Sequence, residues 1–149
     1  MLLRGITFGL TVLASACVVM PLPHRANVTP PVSGRISYLD SPAAGVSVRV
    51  CEASVDVCCV GRAREDTTGV DGGFRVEPAR ETKLLAYVMA HKIFYWCLAV
   101  EHQSHVLEAG PYRQYTLVDS GPAVPQLIEC VVSDNSLNCQ VEDDAGYGT

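Results

Sequence analysis

The pattern of apolar and polar residues predicts β-strands through most of the chain after residue 31. The segment 46–51 alternates strictly, with valine at each even position, which is typical of a half-buried strand. The most hydrophobic stretch, 83–100, is rich in aromatic and β-branched residues, which favour two strands with a turn near 90–92 over a helix. Turn-forming clusters separate further strand candidates at 32–39, 58–66, 74–76, 112–118 and 125–132. About seven such strands predict an all-β fold, an antiparallel Greek-key β-sandwich.

The first twenty residues differ from the rest, because Arg4 is followed by an uncharged segment that ends at Met20. A short basic start, an apolar centre and then small residues are typical of a secretory signal peptide. The sequence Leu13-Ala14-Ser15-Ala16-Cys17 resembles a bacterial lipobox, in which the chain is cut before a cysteine that is acylated. We expect cleavage of residues 1–16 and lipid attachment at Cys17. The alternative is an ordinary cleavage site after Ala16, with Cys17 unmodified.

The lipobox resemblance implies a location and a domain organisation. Several acyl chains hold a protein stably on a bilayer, whereas one chain is marginal. No aspartate follows Cys17 to favour retention at the inner membrane, so we expect an outer-membrane lipoprotein that faces the periplasm. The predicted organisation is a lipid-anchored, proline-rich tether at 17–31, one β-sandwich domain at 32–141, and an acidic flexible tail at 142–149.

Composition limits the range of functions. Without residues 1–16 about 133 residues remain, which suits one domain. The mature chain has ten basic and sixteen acidic residues, a net charge of −6. The sequence contains no basic run, which argues against binding to nucleic acid or to anionic lipid headgroups.

Cysteine usage predicts three disulfides. With Cys17 assigned to lipid, an even set of cysteines remains in an exported chain: Cys51, Cys58, Cys59, Cys97, Cys130 and Cys139. A polar turn at 133–136 predicts a hairpin that brings Cys130 and Cys139 together. Cys51 and Cys58 flank a second turn symmetrically, which favours their pairing and leaves Cys59 to reach Cys97 from the other strand face. Fifteen pairings are formally open. The absence of a C-x-x-C pair argues against a metal site.

Motifs in residues 32–78 resemble the carboxypeptidase regulatory-like, or transthyretin-like (prealbumin-like), β-sandwich family. These are Val32-Ser-Gly-Arg-Ile36, Pro42-Ala-Ala-Gly-Val-Ser-Val48 and Thr67-Thr-Gly-Val-Asp-Gly-Gly-Phe74. In the last motif glycine permits a turn with positive φ, and Phe74 is expected to enter the core. Gly69 stands where the family usually has aspartate, so we expect Asp71 to supply the side-chain hydrogen bonds of this turn.

Candidate chemistry is sparse. His102 and His105 are two possible metal ligands in an expected exposed loop, and they define a remote alternative, a metal-dependent hydrolase. The hydroxyisourate hydrolases of this fold end in Tyr-Arg-Gly-Ser, whereas this chain ends Gly-Tyr-Gly-Thr at 146–149. Phe94, Tyr95 and Trp96 lie in an apolar run, so we interpret them as core, the alternative being an exposed recognition patch.

The sequence therefore predicts a lipid-anchored, non-catalytic binding or structural module without a cofactor or metal. A protein partner is expected beside the membrane. The alternative function is an immunity lipoprotein or a secretion-assembly component that binds such a partner. A fold of this kind does not by itself determine function.

Overall fold

A computed structural model describes residues 19–87, 92–116 and 120–142. The structure is all-β, with several sheets, and is consistent with a β-sandwich. Predicted segments 1–16 and Cys17 lie outside the described residues, as does the tail beyond Glu142. The strands are β1 Val19–Met20, β2 His24–Asn27, β3 Val32–Tyr38, β4 Ser41–Pro42, β5 Ser47–Ala53, β6 Ala63–Thr67, β7 Gly73–Val76, β8 Arg80–Lys83, β9 Ala86–Tyr87, β10 Lys92–His102, β11 His105–Thr116, β12 Gln126–Ser133 and β13 Ser136–Glu142.

Two larger sheets form the body of the domain. One has the order β11-β10-β5-β6, and the other has the order β13-β12-β3, with β4 and β7 both pairing with β3. Two short ribbons, β1-β9 and β2-β8, complete the described sheets. The prediction of a purely antiparallel sandwich is wrong at one pair, because β12 runs parallel to β3. A parallel pair cannot be closed by a hairpin, so most of the chain separates these two strands.

The core lies between the two larger sheets. Alternate residues of β5 and β10 supply Val48, Val50 and Leu98 from one sheet, and Ile36 and Ile128 come from the other. Gly34 allows β3 to approach β12 closely, since a Cβ atom there would clash with the carbonyl oxygen of Ile128. The strand prediction for 83–100 is confirmed for β10. Of the turn predicted near 90–92, the first two residues lie outside the described residues and Lys92 begins β10.

The prediction of a tether over 17–31 is wrong where this segment forms strands, at β1 and at β2. Residues 24–27 form β2, which pairs with β8, and Ala26 and Val28 are buried. The Asn27 N–H donates to the Ser120 carbonyl at 2.7 Å, and the Ala79 N–H donates to Thr29 Oγ1 at 2.9 Å. This segment therefore belongs to the domain, and residues 19–20 before it also form a strand, β1, that pairs with β9.

The Gly-rich turn before β7 has the predicted local structure. Gly72 has a φ of +75°, and the Gly73 N–H donates to Asp71 Oδ1 at 3.0 Å, which confirms the role assigned to Asp71. Phe74 is buried in the core as expected. Thr68 is buried as well, and its hydroxyl donates to the Ala43 carbonyl while accepting from the Val46 N–H.

Candidate functional site

All six cysteines after Cys17 are joined in disulfides. The predicted Cys130–Cys139 bond is confirmed, because the two residues lie directly opposite each other in the β12–β13 hairpin. The separation of only nine residues and the polar turn were sufficient to predict this pair from sequence.

The other two predicted pairings are wrong, because the structure joins Cys51 to Cys59 and Cys58 to Cys97. The prediction assumed that residues 58–66 begin as a strand, so that Cys58 and Cys59 would point to opposite faces. Residues 54–62 instead form a loop, and Ala63 is the residue that pairs with Cys51. Cys51 and Cys97 lie opposite each other on β5 and β10, so both side chains point to the outer face of the sheet. The loop 54–62 passes over this face, where Cys59 bonds to Cys51 and Cys58 bonds to Cys97.

The two disulfides hold the loop 54–62 over the outer face of β5 and β10. Three valines of this loop remain largely exposed: Val55 at 60%, Val57 at 54% and Val60 at 56%. Cross-linking fixes the loop without burying these side chains, so the loop presents three exposed apolar side chains on a held backbone.

The two candidate histidines do not lie in a long loop. His102 ends β10 and His105 begins β11, and they face each other across a two-residue turn in which Gln103 and Ser104 have positive φ. His105 is exposed, whereas the ring of His102 stacks on Tyr38 with 5.2 Å between centroids. Within the described residues, no group of three or more His, Cys, Asp or Glu side chains is placed to hold a metal ion.

Tyr38 extends this end of the sandwich toward the β12–β13 turn. Its hydroxyl donates a hydrogen bond of 2.7 Å to Asp134 Oδ1. This hydrogen bond, together with the negative charge of the Asp134 carboxylate, raises the pKa of the Tyr38 phenol above its usual value. The phenol therefore stays neutral at ordinary pH, and its hydrogen bond joins the end of β3 to the β12–β13 turn.

The aromatic run has the predicted core position at Trp96. Trp96 is buried, and its ring packs against Tyr112 with 4.7 Å between centroids. Phe94 and Tyr95 are only partly buried, and Lys83 Nζ lies 5.9 Å from the centroid of the Phe94 ring. This run is therefore chiefly a structural element and does not form an exposed recognition patch.

An open groove of about 660 Å³ lies beside strands β6, β7 and the β2–β8 ribbon. Four arginines line it, Arg25, Arg64, Arg75 and Arg80, together with three glutamates, a threonine and a proline. We call this surface the arginine groove. β6 ends one large sheet and β7 lies at the side of the other, and the Arg75 N–H donates to Asp66 Oδ2 at 2.8 Å. The groove therefore lies where the two sheet edges meet.

Ion pairs within and around the groove leave part of its positive charge uncompensated. Glu81 is shared by Arg62 and Lys83, at 2.8 Å and 3.5 Å. Glu77 pairs with Arg75 at 3.4 Å, and Glu65 pairs with Arg49, which lies outside the groove, also at 3.4 Å. In the described part of the chain, no carboxylate lies within salt-bridge distance of the other three guanidinium groups, those of Arg25, Arg64 and Arg80.

The sequence shows no basic run, and the fold brings four arginines to this groove, accompanied by three glutamates. The arginines of the groove come from four separate strands, and the first two are 39 residues apart, so no local run of basic residues signals the cluster. The one sequence signal for the groove was the high frequency of arginine in 62–80. Acidic residues in the same segment offset its charge, so the segment is not basic as a whole.

No protein-family model matches this chain, and the search of curated proteins found no match either. In residues 19–87, 92–116 and 120–142, no helix has the length and apolar character needed to cross a membrane.

Proposed function

We propose that this protein is a lipid-anchored envelope module that binds a ligand or partner without catalysing a reaction. In this proposal the signal peptide is cleaved before Cys17, whose acyl chains hold the domain at the periplasmic face of the outer membrane. The domain is a Greek-key sandwich of the transthyretin-like class, an assignment supported by the Thr67–Phe74 turn motif and its Asp71 hydrogen bond.

The observation that carries the proposal is the complete pairing of the cysteines after Cys17. Disulfides persist in oxidising compartments, so three of them support export. Pairing of these six leaves Cys17 as the one cysteine of the chain with no disulfide partner among them, which supports its use as the acyl acceptor. The packing of residues 24–30 shortens the tether, so an anchor at Cys17 would hold the domain close to the bilayer.

We expect the wild-type protein to sediment with membranes and to incorporate labelled palmitate, whereas Cys17→Ser should lose the palmitate label and keep the uncleaved segment 1–16. The serine hydroxyl cannot replace the thiol in the lipidation step. Mass spectrometry of the membrane-extracted protein should find an N-terminus at Cys17 that carries acyl chains. Val18→Ser is the matched control, because it alters the neighbouring residue and leaves the thiol in place. An unmodified N-terminus at Cys17, or retention of Met1, would contradict the lipoprotein proposal.

A protein partner is the second candidate, and the exposed valines of the disulfide-held loop favour it. Val55, Val57 and Val60 project from a segment fixed by two cross-links, so a partner would bind them without ordering a flexible loop. An immunity or secretion-assembly role would require this kind of contact. Photo-crosslinking from position 57 should then give one defined adduct in detergent extracts, and cross-linking from exposed Val131 on β12 should not.

The remote alternative, a metal-dependent hydrolase, depends on His102 and His105. Zinc bound stoichiometrically to the purified protein, and lost in a His102→Ala/His105→Ala double variant, would support that alternative. The stacking of His102 on Tyr38 argues against it, because a ligating imidazole would be oriented toward the metal by its own hydrogen bonds.

A further inference from the structure

We propose that the arginine groove binds the phosphate group of a glycerol-phosphate type ligand, either a soluble phosphoester or the headgroup of an anionic lipid. The inference rests on the proposed binding function and names the ligand class of that module. We infer this from three guanidinium groups without carboxylate partners, from the adjacent Thr82 hydroxyl and from the volume of the groove.

The β2–β8 ribbon places two of these arginines side by side. Arg25 lies opposite Thr82, and Asn27 lies opposite Arg80, so all four side chains share one face of the ribbon. Arg25 and Arg80 are therefore diagonal neighbours, about 7–8 Å apart at their Cα atoms. Side chains as long as arginine converge easily on one anionic group from such positions.

Arg80 is also oriented by a neighbouring side chain. Its Nε donates to Asn27 Oδ1 at 3.2 Å, which leaves the two terminal amino groups of the guanidinium available for a ligand. Asn27 is itself held by a hydrogen bond from its side-chain amide to the Pro122 carbonyl at 3.1 Å. These hydrogen bonds restrict the position of the Arg80 guanidinium, and a restricted guanidinium loses less conformational entropy when it binds an oxyanion.

Arg64 approaches the groove from the other side. It lies opposite Val50 in the β5–β6 register, so its side chain starts on the core face of the sheet. Because β6 is the last strand of that sheet, Arg64 is exposed at the opening. A cation on the inner face of an edge strand discourages pairing of that strand with another strand. Here Arg64 also supplies the third guanidinium group of the arginine groove.

The other lining groups favour an organic phosphate over a bare ion. A volume of about 660 Å³ exceeds the need of one phosphate and lies in the usual range for small-ligand sites. The Thr82 hydroxyl and the Glu77 carboxylate provide acceptors for ligand hydroxyl groups. A glycerol phosphate presents both an oxyanion and hydroxyls.

The position of the groove is compatible with a phosphate group from a membrane lipid as well as with one from a soluble phosphoester. Arg25 lies eight residues after Cys17, so an anchor there would hold Arg25 within about 28 Å of the attachment point at full extension. A headgroup in the same leaflet is then within reach of the domain.

Calorimetric titration of the detergent-solubilised full-length mature protein with glycerol 3-phosphate tests the site directly. We expect saturable binding, weakened about tenfold or more in Arg64→Ala and in Arg80→Ala, since hydrogen bonds to a charged ligand are lost. Arg80→Lys should retain only part of the wild-type affinity, because a lysine ammonium cannot donate the paired hydrogen bonds of a guanidinium to one phosphate. Arg35→Ala is the matched control, since it removes an exposed arginine of β3 outside the groove. Unchanged melting temperatures would verify that the variants are folded.

Vesicle flotation with the Cys17→Ser protein, expressed without residues 1–16, distinguishes the two sources. Binding to vesicles of phosphatidylcholine and phosphatidylglycerol in equal parts, absent for phosphatidylcholine alone and lost in Arg64→Ala, would identify the lipid headgroup. Binding of glycerol 3-phosphate without vesicle binding would identify a soluble phosphoester. Absence of saturable binding in both assays, or an equal loss in Arg35→Ala, would overturn the proposal. None of these results depends on acylation of Cys17, so the failure of the anchor and the failure of the groove are distinguishable.

Discussion

Replacing Trp96 by alanine is expected to lower the free energy of unfolding by about 3–5 kcal/mol. Trp96 is the largest fully buried side chain, and it lies in β10, which pairs with both β5 and β11. Its removal leaves a cavity beside Tyr112 that neighbouring strands cannot fill without breaking their hydrogen bonds. Urea unfolding under non-reducing conditions, followed by circular dichroism, measures the change.

Two further variants separate packing from other effects of the substitution. Tyr115→Ala removes an aromatic ring from exposed positions of β11 and is expected to cost less than about 1 kcal/mol. Trp96→Phe keeps most of the volume and removes the indole N–H, which has no hydrogen-bond partner among the described residues. We expect it to cost distinctly less than Trp96→Ala. Equal losses for Trp96→Ala and Tyr115→Ala would contradict the assignment of Trp96 to the core.

Removal of the Cys58–Cys97 disulfide in a Cys58→Ala/Cys97→Ala variant is expected to cost about 4 kcal/mol. This bond closes the longest loop of the three, with a sequence separation of 39, and so restricts the unfolded chain most. The Cys130→Ala/Cys139→Ala variant is the matched control, because its separation of 9 predicts a loss of about 3 kcal/mol. The same urea experiment compares them, and a larger loss in the hairpin variant would contradict the loop-length argument.

A single substitution tests the corrected pairing itself. In Cys51→Ala the partner left with a free thiol should be Cys59, and alkylation followed by mass spectrometry should place the label there. A label on Cys58 would instead support the pairing that the turn symmetry predicted. Mapping of intact disulfides is less direct, because Cys58 and Cys59 are adjacent and resist separation by proteolysis.

The sequence was sufficient wherever the interacting residues are close together in the chain. Alternation at 46–51 predicted the buried face of β5, and the polar turn at 133–136 predicted the Cys130–Cys139 bond. Asp71 was predicted to replace the usual aspartate of its turn, and its hydrogen bond to Gly73 has that role. In each case the responsible geometry spans a few residues, so side-chain periodicity and turn chemistry determine it.

Sequence patterns failed where the decisive partner is distant. The proline-rich segment was predicted as a tether because its composition is typical of linkers, yet Asn27 bonds to Ser120 and Thr29 bonds to Ala79. The partners of Cys58 and Cys59 depend on a loop folding back over β5 and β10, and no local periodicity indicates that return. The parallel pairing of β3 with β12 is likewise a property of the whole chain.

The candidate site shows the same division most clearly. The amino-acid sequence alone determined the strand content, an even set of cysteines after Cys17 and a lipobox-like start, since these depend on residue type and local order. Only the tertiary structure decided that Arg25, Arg64 and Arg80 lie around one groove while nearby glutamates pair with other cations. Net charge and local composition average over such positions, whereas an electrostatic site depends on which charges the fold brings within a few ångströms.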